Sequence, residues 1–583
     1  MKTNPAGHQP ASAMTKKINQ QALGLDWENE FAAAQKGLIK ETERLEIKNE
    51  AGEVVWSQKA YSFLESEQAP PTVHPKLWQE ARLNQKSGLF QVTDSIYQVR
   101  GFDSCHMTFV ATMWGWVVID PLKSTECAWA AYRLVSETLG KRPIKAIILS
   151  SPQIERFGGI KGILPNGGAP IIAHPKFLET LAKDNRYKSP ALDLLKPCLW
   201  GDLNPVFSPS SGIPSFLAPT DMPSHEDNIR QIDGLVISFQ LVGPAQLNLW
   251  FPQKKALFLN SAPLDGSNCL MELFAQCENK VQALFRPHGW PSWGNSNIRE
   301  EISGAACSYK YLWDYAITSI QEGYTLDEAI HRFQWPQKLE WAWAKSPAEL
   351  PLACYFKAIY AQIPPFAEKN PLDLIPLPPE TAAKKLLEYM GGIDKVLDKA
   401  ATDHKKGQYR WIAHLARQIL LADPKNQKAR SLYADSLEQL GYQSSNSFAR
   451  HLLLNSAIKL RQKSQPEKTH SYPSDLLRSL DPGALFDLMS LSLDKNQAQH
   501  LDFNIAFVLV DDVSYVGIVR HGVFLHQQDV EAKDAKIRFT LSKKHLFLLT
   551  SKEGFHSALL QGLVKTWGDV EAYEELLSYL KPI

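Results

Sequence analysis

The segment that most constrains the fold is an apolar run followed directly by a polar loop ending in two glycines. Ala146–Leu149 is uniformly apolar, which predicts a buried strand. The loop runs from Ser150 to Gly159 and closes with Phe-Gly-Gly. It carries one carboxylate, Glu155, and one guanidinium, Arg156, but no imidazole or thiol. The loop therefore lacks the side chains that most often bind zinc.

Length and composition indicate a large globular protein. A chain of 583 residues suggests roughly three to four domains. Its 44% hydrophobic and 21% charged residues are typical of globular chains, and a net charge of +1 gives no electrostatic case for nucleic acid. Seven cysteines without a C-x-x-C pair predict reduced thiols. No apolar leader and no apolar run of about 18 residues is visible, which predicts a cytoplasmic protein without a membrane span.

Pattern changes along the chain predict five segments. Strand-like alternation, helical spacing of apolar residues and polar linkers mark where one segment gives way to the next. The predicted segments are a disordered N-terminus at 1–24, an arm with a hairpin at 25–87, a strand-rich domain with helices at 88–365, a helical domain at 371–462, and an α+β domain at 474–583.

In two of these segments the spacing of apolar residues indicates a particular kind of structure. In 371–462 the apolar spacing predicts helices, and their length resembles tetratricopeptide-like hairpins, which often contact proteins. The predicted helices are Leu386–Ala400, Tyr409–Ala422, Ala429–Leu440 and Phe448–Leu460. In the last segment, Leu501–Phe507 alternates at period two, and its apolar face lines either a packed core or a tunnel, of which a core is favoured.

Several short runs in a fixed order resemble one known family. They are Gly88–Val92, Tyr97–Asp103, Val118–Pro121, Phe157–Gly159, Trp290–Gly294, Ile375–Pro379, Tyr389–Gly392, Gly407–Trp411 and Leu437–Tyr442. Through them the chain resembles the alkylsulfatases of the metallo-β-lactamase superfamily over nearly its whole length. The resemblance implies an α/β fold: an αββα metallo-β-lactamase-like sandwich, then an all-α dimerisation domain, then an α+β domain like sterol carrier protein 2.

The same resemblance implies a zinc site, but this sequence carries other residues at most of the ligand positions. Family members bind two zinc ions and hydrolyse sulfate esters of long-chain alcohols. By the family pattern, the metal-ligand positions fall on Ser151, Gln153, Glu155, Arg156, Val242, Ser261 and His288, and substrate-binding positions fall on Asn268, Cys269 and Phe274. Most of these are poor zinc ligands, and a guanidinium has no lone pair to offer. We therefore expect no zinc and no other cofactor.

Two hypotheses of function follow. The first is a pseudoenzyme, a non-catalytic protein that binds an amphiphile or a partner and forms a homodimer through its helical domain. The alternative is a metal-dependent hydrolase of alkyl sulfate esters, with a rearranged site at Glu155, Asp265 and His288, or a hydrolase with metal-free chemistry. Under either hypothesis, Arg156 is expected to form an ion pair with Glu155 or Asp265, or to bind an anionic head group.

Overall fold

The structure is a computed structural model of the whole chain. It describes residues 8–22, 27–42, 44–186, 211–260, 267–276, 280–340, 351–362, 371–461, 474–529 and 534–581.

The chain forms a mixed region of strands and helices, then a helical region, then a second mixed region. The helices are α1 Ala13–Gln20, α2 Glu28–Gln35, α3 Pro75–Asn84, α4 Thr125–Leu139, α5 Ile154–Phe157, α6 Ile160–Ile163, α7 Phe177–Arg186, α8 Ser267–Gln276, α9 Asn295–Glu322, α10 Leu326–Arg332, α11 Leu352–Tyr360, α12 Pro379–Tyr389, α13 Ile393–Lys405, α14 Tyr409–Ala422, α15 Gln427–Gln443, α16 Ser447–Arg461, α17 Ser474–Ser479, α18 Pro482–Ser492, α19 Lys552–Leu560 and α20 Val570–Ser578. The strands are β1 Leu38–Glu41, β2 Glu46–Lys48, β3 Val54–Ser57, β4 Gly88–Thr93, β5 Ile96–Arg100, β6 Met107–Ala111, β7 Trp116–Ile119, β8 Ile144–Leu149, β9 Ile171–Ala173, β10 Ile229–Ile232, β11 Leu235–Val242, β12 Gln246–Phe251, β13 Ala256–Phe258, β14 Ala283–Phe285, β15 Ser292–Trp293, β16 Asp502–Leu509, β17 Tyr515–Arg520, β18 Val523–Gln528, β19 Ala535–Leu541 and β20 Val564–Gly568.

Two sheets pack face to face in the first half of the chain. One has seven strands in the order β1-β4-β5-β6-β7-β8-β9, and the other has six in the order β10 to β15. Apolar side chains from both fill the space between them, for example Ile119 and Ile148 against Ile237 and Leu249. Helix α4 covers the outer face of the first sheet, and α8 and α9 cover that of the second. This is the predicted αββα layering, because each sheet must bury both apolar faces.

The predicted buried strand lies near one edge of the larger sheet. It is β8, and it runs parallel to β7 on one side and to β9 on the other. Its last four residues are fully buried, as the uniformly apolar sequence requires. Parallel neighbours end at the same edge of a sheet, so the residues after β7 and β8 are brought together there.

The N-terminal segment is more ordered than predicted. We expected disorder over 1–24, but α1 forms and packs on the helical region. Ser12 caps α1, and the Thr15 hydroxyl donates to Gln439 Oε1 at 2.8 Å. The buried Glu438 carboxylate accepts from the backbone of Gln9. Sequence periodicity could not reveal this order, because its partners lie about 430 positions away.

The helical region follows its predicted pattern with one break. The predicted helix Leu386–Ala400 is two helices, α12 and α13. Gly391 and Gly392 separate them, and both have a positive φ, 90° and 95°, which interrupts a right-handed helix. The other three predicted helices correspond to α14, α15 and α16.

The last region is a five-stranded sheet in the order β18-β17-β16-β19-β20, covered by helices. The apolar face of β16 packs in a closed cluster with side chains of α18, α19 and α20, including Phe486, Phe555 and Tyr573. The favoured interpretation of this face as a packed core therefore agrees with the structure. Among the helices in the described ranges, none is long and apolar enough to cross a membrane.

Candidate functional site

The candidate site is built where β7 and β8 end. Asp120 follows β7 directly and has a φ of 55°, a left-handed conformation that turns the chain away from the sheet. Its N–H still donates to Ile148 O at 3.0 Å, so the turn begins in register with β8. Ser150 follows β8 and donates to Asp120 twice, from its N–H to Oδ1 at 2.9 Å and from its hydroxyl to Oδ2 at 2.7 Å. The ends of the two strands are thus joined by a carboxylate.

The two glycines of the loop explain how α5 packs beside this turn. A Cβ on Gly158 would lie 2.1 Å from Lys123 O, and one on Gly159 would lie 2.2 Å from Pro121 O. Only residues without a side chain permit such close approach of two backbones. The motif Phe-Gly-Gly therefore presses α5 against the turn after β7 and brings Arg156 towards Asp120.

A buried ion pair forms at this junction. Arg156 Nη1 donates to Asp120 Oδ2 at 3.1 Å, and each side chain is only 1% exposed. Burial raises the pKa of Asp120 above its usual 3.8, while Arg156 and the two Ser150 hydrogen bonds oppose that rise. The prediction that Arg156 forms an ion pair agrees with the structure, but the partner of Arg156 is Asp120 and not Glu155. Asp265, the other expected partner, lies outside the described residues.

His288 joins the same network from the second sheet. It follows β14, and its Nε2 lies 2.8 Å from Arg156 Nη2. Burial, and then the positive charge of Arg156, hold the pKa of His288 well below 6.5. The imidazole is therefore neutral, and its Nε2 accepts the hydrogen bond from Arg156. Buried Asp120 and Arg156 and half-buried His288 form a hydrogen-bonded chain, called here the Arg156 cluster.

Three further side chains border the Arg156 cluster. The Cys105 thiol donates to Glu155 O at 2.8 Å, and burial raises its pKa well above 9, so it is not a thiolate nucleophile. Asp103 accepts from the backbone of Ser104 and Lys123, which fixes the turn after β7 from the other side. Glu155 sits in the first turn of α5 and is partly exposed, so a carboxylate lies at the border of the cluster with access to solvent.

The remaining predicted site residues do not all converge. Ser151 is buried in the loop, and Gln153 is the residue that precedes α5. Val242 ends β11, and on the neighbouring strand β12 the Leu247 N–H donates to Ser150 O. Phe274 packs with Leu273 and Ile298 in a separate apolar cluster. Asn268 and Cys269 lie on α8, whereas Ser261 falls outside the described residues.

The residues of this site do not fit a zinc ion. The Asp120 oxygens accept hydrogen bonds from Arg156 and Ser150, and His288 Nε2 accepts one from Arg156. The groups with lone pairs thus face a permanent cation, which repels a second cation at the same place. Within the described ranges, no three His, Cys, Asp or Glu side chains are grouped so that they could hold a metal.

Sequence analysis missed the importance of Asp120, although a signal was present. The acid follows four apolar residues directly, and Ser150-Ser151 directly follows the apolar run Ala146–Leu149. If β7 and β8 are taken as parallel neighbours, these ends must meet at one edge. Placing Asp120 in the site required knowledge that β7 and β8 are paired, and the sequence pattern alone did not give that pairing.

Comparison with known proteins agrees with this architecture. The family model "Alkyl sulfatase dimerisation" matches residues 325–463, and the model "Alkyl sulfatase C-terminal" matches residues 471–583. A linear primary-alkylsulfatase from Pseudomonas sp. is 31% identical to this chain, over 98% of the chain and 91% of the relative. This chain belongs to the alkylsulfatase family. The relatives that it matches are alkylsulfatases, and the predicted family and fold class are confirmed.

Other relatives extend the same result. An alkyl/aryl-sulfatase of Saccharomyces cerevisiae is 32% identical, over 81% of this chain and 78% of the relative. The solved structure of the stereoselective inverting sec-alkylsulfatase Pisa1 from Pseudomonas sp. superposes with a TM-score of 0.90 at 29% identity. That match covers 99% of this chain and 98% of Pisa1. The alkylsulfatase fold is therefore retained from the N-terminal arm to the last helix.

These matches overturn the hypothesis of a non-catalytic pseudoenzyme. Relatives that span almost the whole chain are alkylsulfatases, and the fold matches that of a sec-alkylsulfatase. The hypothesis rested on the residue types at the expected ligand positions alone, whereas the similarity to alkylsulfatases spans nearly the whole chain.

We predict that the Arg156 cluster is a main source of stability of the sandwich. Changing Arg156→Met leaves Asp120 buried without its cation, which should cost about 3–5 kcal/mol. Arg230→Met is the matched control, because the Arg230–Asp221 pair is partly exposed at 19% and 30%. That change should cost at most about 1 kcal/mol. Urea denaturation of both variants checks the difference, and equal midpoints would contradict the prediction.

Proposed function

We propose that this protein hydrolyses sulfate esters of alcohols that carry an alkyl chain. The observation that carries the proposal is the full-length similarity to enzymes named as linear primary and (R)-specific secondary alkylsulfatases, at 31% and 30% identity. Each match covers 98% of this chain. The substrate is thus an amphiphile, with an anionic sulfate group at one end.

The proposed reaction centre is the border of the Arg156 cluster at Glu155, because Arg156 and Asp120 are themselves only 1% exposed. An alkyl sulfate carries a permanent negative charge, and hydrolysis shifts further charge onto oxygen. Arg156 stays protonated throughout the physiological range and is held rigidly by Asp120 and His288. A fixed cation in a site shielded from water stabilises developing negative charge more effectively than one that must reorganise.

Glu155 is the proposed general base. It is the carboxylate next to Arg156 along α5, and unlike Asp120 it is partly exposed, so it can contact a water molecule and substrate. Its main chain is held by the Cys105 thiol. His288 is less suited to this role, because its Nε2 lone pair already accepts from Arg156. In this proposal the oxygen of a water molecule bonds to the ester carbon as the bond between that carbon and the sulfate oxygen breaks. Glu155 takes a proton from the water, the sulfate dianion leaves with the bonding electron pair, and Arg156 attracts its negative charge.

We propose that no zinc pair takes part at these positions. Ser151, Gln153, Arg156 and Val242 supply neither imidazole, thiolate nor carboxylate, and Asp120 and His288 are bound to a guanidinium. The charge that a metal would supply is then provided by Arg156, and the mechanism has no step through a metal.

We also propose that the protein is a homodimer through its helical region. The segment before α12 is an apolar patch formed by Leu372, Leu374, Ile375 and Leu377, each at least 65% exposed. Four exposed apolar side chains that lie close together in the sequence favour association with another protein surface. The patch lies within the span of the dimerisation family model, which supports a second copy of this chain as the partner.

We predict that Glu155→Gln lowers kcat for sulfate release by about 10²- to 10⁴-fold, as expected for loss of a general base. Binding should change little, so KM should remain similar. Ion chromatography of sulfate released from dodecyl sulfate and from a secondary alkyl sulfate measures both constants. Glu137→Gln, an exposed change on α4, is the control and should retain full activity. No sulfate release by the wild type from either ester would refute the proposed function.

Removal of metal should not abolish activity. After dialysis against a strong chelator such as dipicolinate, we expect the same rate of sulfate release and substoichiometric zinc by mass spectrometry, because Arg156 replaces the metal charge. Added zinc should not increase the rate. Loss of activity on chelation that zinc restores, with at least one zinc bound per chain, would show that the metal proposal is wrong.

A charge in the apolar patch should separate the subunits. Ile375→Asp places a carboxylate on a side chain that is 74% exposed, so folding is spared while an apolar interface is disrupted. We expect a shift from dimer to monomer by light scattering coupled to size-exclusion chromatography. Leu560→Asp is the control, since Leu560 is 89% exposed but lies on α19, outside the helical region. A dimeric Ile375→Asp variant would place the interface elsewhere.

A further inference from the structure

Arg100 is a second buried guanidinium, and it lacks an acidic partner. It ends β5 and is only 3% exposed. Its Nη1 donates to Ala34 O at 3.3 Å, and its guanidinium lies 4.1 Å from the centre of the Phe90 ring. Its Nε and Nη2 have no hydrogen-bond partner. Among the residues that the structure describes, no carboxylate lies within ion-pair distance of Arg100.

The environment of Arg100 is therefore unlike that of Arg156. A buried charge without a counter-ion costs several kcal/mol, and one carbonyl with one aromatic face offsets only part of that cost. Burial lowers the pKa of Arg100 to about 9, so the side chain is still a cation at neutral pH. In the arm, the carboxylate of Glu30 accepts a hydrogen bond from the indole N–H of Trp290 at 2.8 Å.

A small, partly open cavity lies against Arg100. Lys86, His106, Gly289 and Trp290 are among the residues that line it, and its volume is about 10 Å³. A space of this size holds one particle near the size of a water molecule. Arg100 and Lys86 give the cavity two cationic side chains and no acidic one among its lining residues. Gly289 follows His288, so the cavity lies beside the Arg156 cluster without being part of it.

We propose that this cavity binds one small inorganic anion, of the size of chloride, as the counter-ion of Arg100. The two unpartnered groups, Nε and Nη2, donate to it, which satisfies the hydrogen bonds and compensates the charge together. A water molecule would satisfy only the hydrogen bonds. A five-atom oxyanion such as sulfate is too large for the cavity, so the site is distinct from one for the ester head group. The proposal does not depend on the proposed hydrolysis.

Bromide identifies the occupant directly in the wild-type protein. Crystals grown in bromide in place of chloride should show an anomalous peak in the cavity, within hydrogen-bond distance of Arg100 Nε or Nη2. Electron density there without an anomalous signal would indicate water alone and would overturn the proposal. The same crystals grown in sulfate without halide provide the size test, and tetrahedral density in the cavity would also overturn it.

Thermal unfolding tests the same site in solution. At constant ionic strength, replacing gluconate by chloride should raise the midpoint of the wild type by roughly 1–4 °C, because the anion binds only the folded state. Arg100→Met should abolish this difference. Arg142→Met is the matched control, since Arg142 also stacks on an aromatic ring, that of Trp116, but does not line the cavity. It should keep the chloride effect. An unchanged chloride effect in Arg100→Met, or none in the wild type, would contradict the proposal.

Discussion

The architecture of the candidate site depends on one buried ion pair, that between Asp120 and Arg156. It joins the end of β7 to the loop after β8, and through His288 it reaches the second sheet. Both side chains are almost completely excluded from water, so the stability of the pair depends on further hydrogen bonds to its charged groups. Ser150 supplies two of these hydrogen bonds. Loss of either partner leaves an uncompensated charge between the layers.

In the proposed function, this pair supplies the positive charge in an alkylsulfatase scaffold whose expected metal-ligand positions carry other residues. A metal site and a fixed guanidinium both place positive charge at the ends of the parallel strands. They differ in what they require of their neighbours. Zinc needs several lone pairs from side chains, whereas Arg156 needs acceptors, and Asp120 and His288 act as those acceptors here. Replacement of one kind of site by the other therefore involves the whole set of contacts rather than one ligand.

The sequence predicted much of the fold, because strands and helices follow from local periodicity. The buried strand β8, the hairpin of the arm and three helices of the dimerisation region were predicted this way. What failed depended on distant contacts. The partner of Arg156 follows from the parallel pairing of β7 with β8, and the order of α1 follows from hydrogen bonds to Gln439 and Glu438. The inference of a non-catalytic protein is contradicted by the nearly full-length similarity to alkylsulfatases, because residue types at seven positions do not by themselves decide whether a protein is catalytic.

The measurement that tests this account most directly is a crystal structure with dodecyl sulfonate, whose carbon–sulfur bond resists hydrolysis. The account predicts that the sulfonate lies at the loop from Ser151 to Arg156, with the Asp120–Arg156 pair intact. Glu155 should face the sulfonate, and no metal should lie between Asp120 and His288. A sulfonate bound away from this loop, or a metal bound by Asp120 and His288 with Arg156 displaced, would contradict the claim that a guanidinium provides the charge at this site.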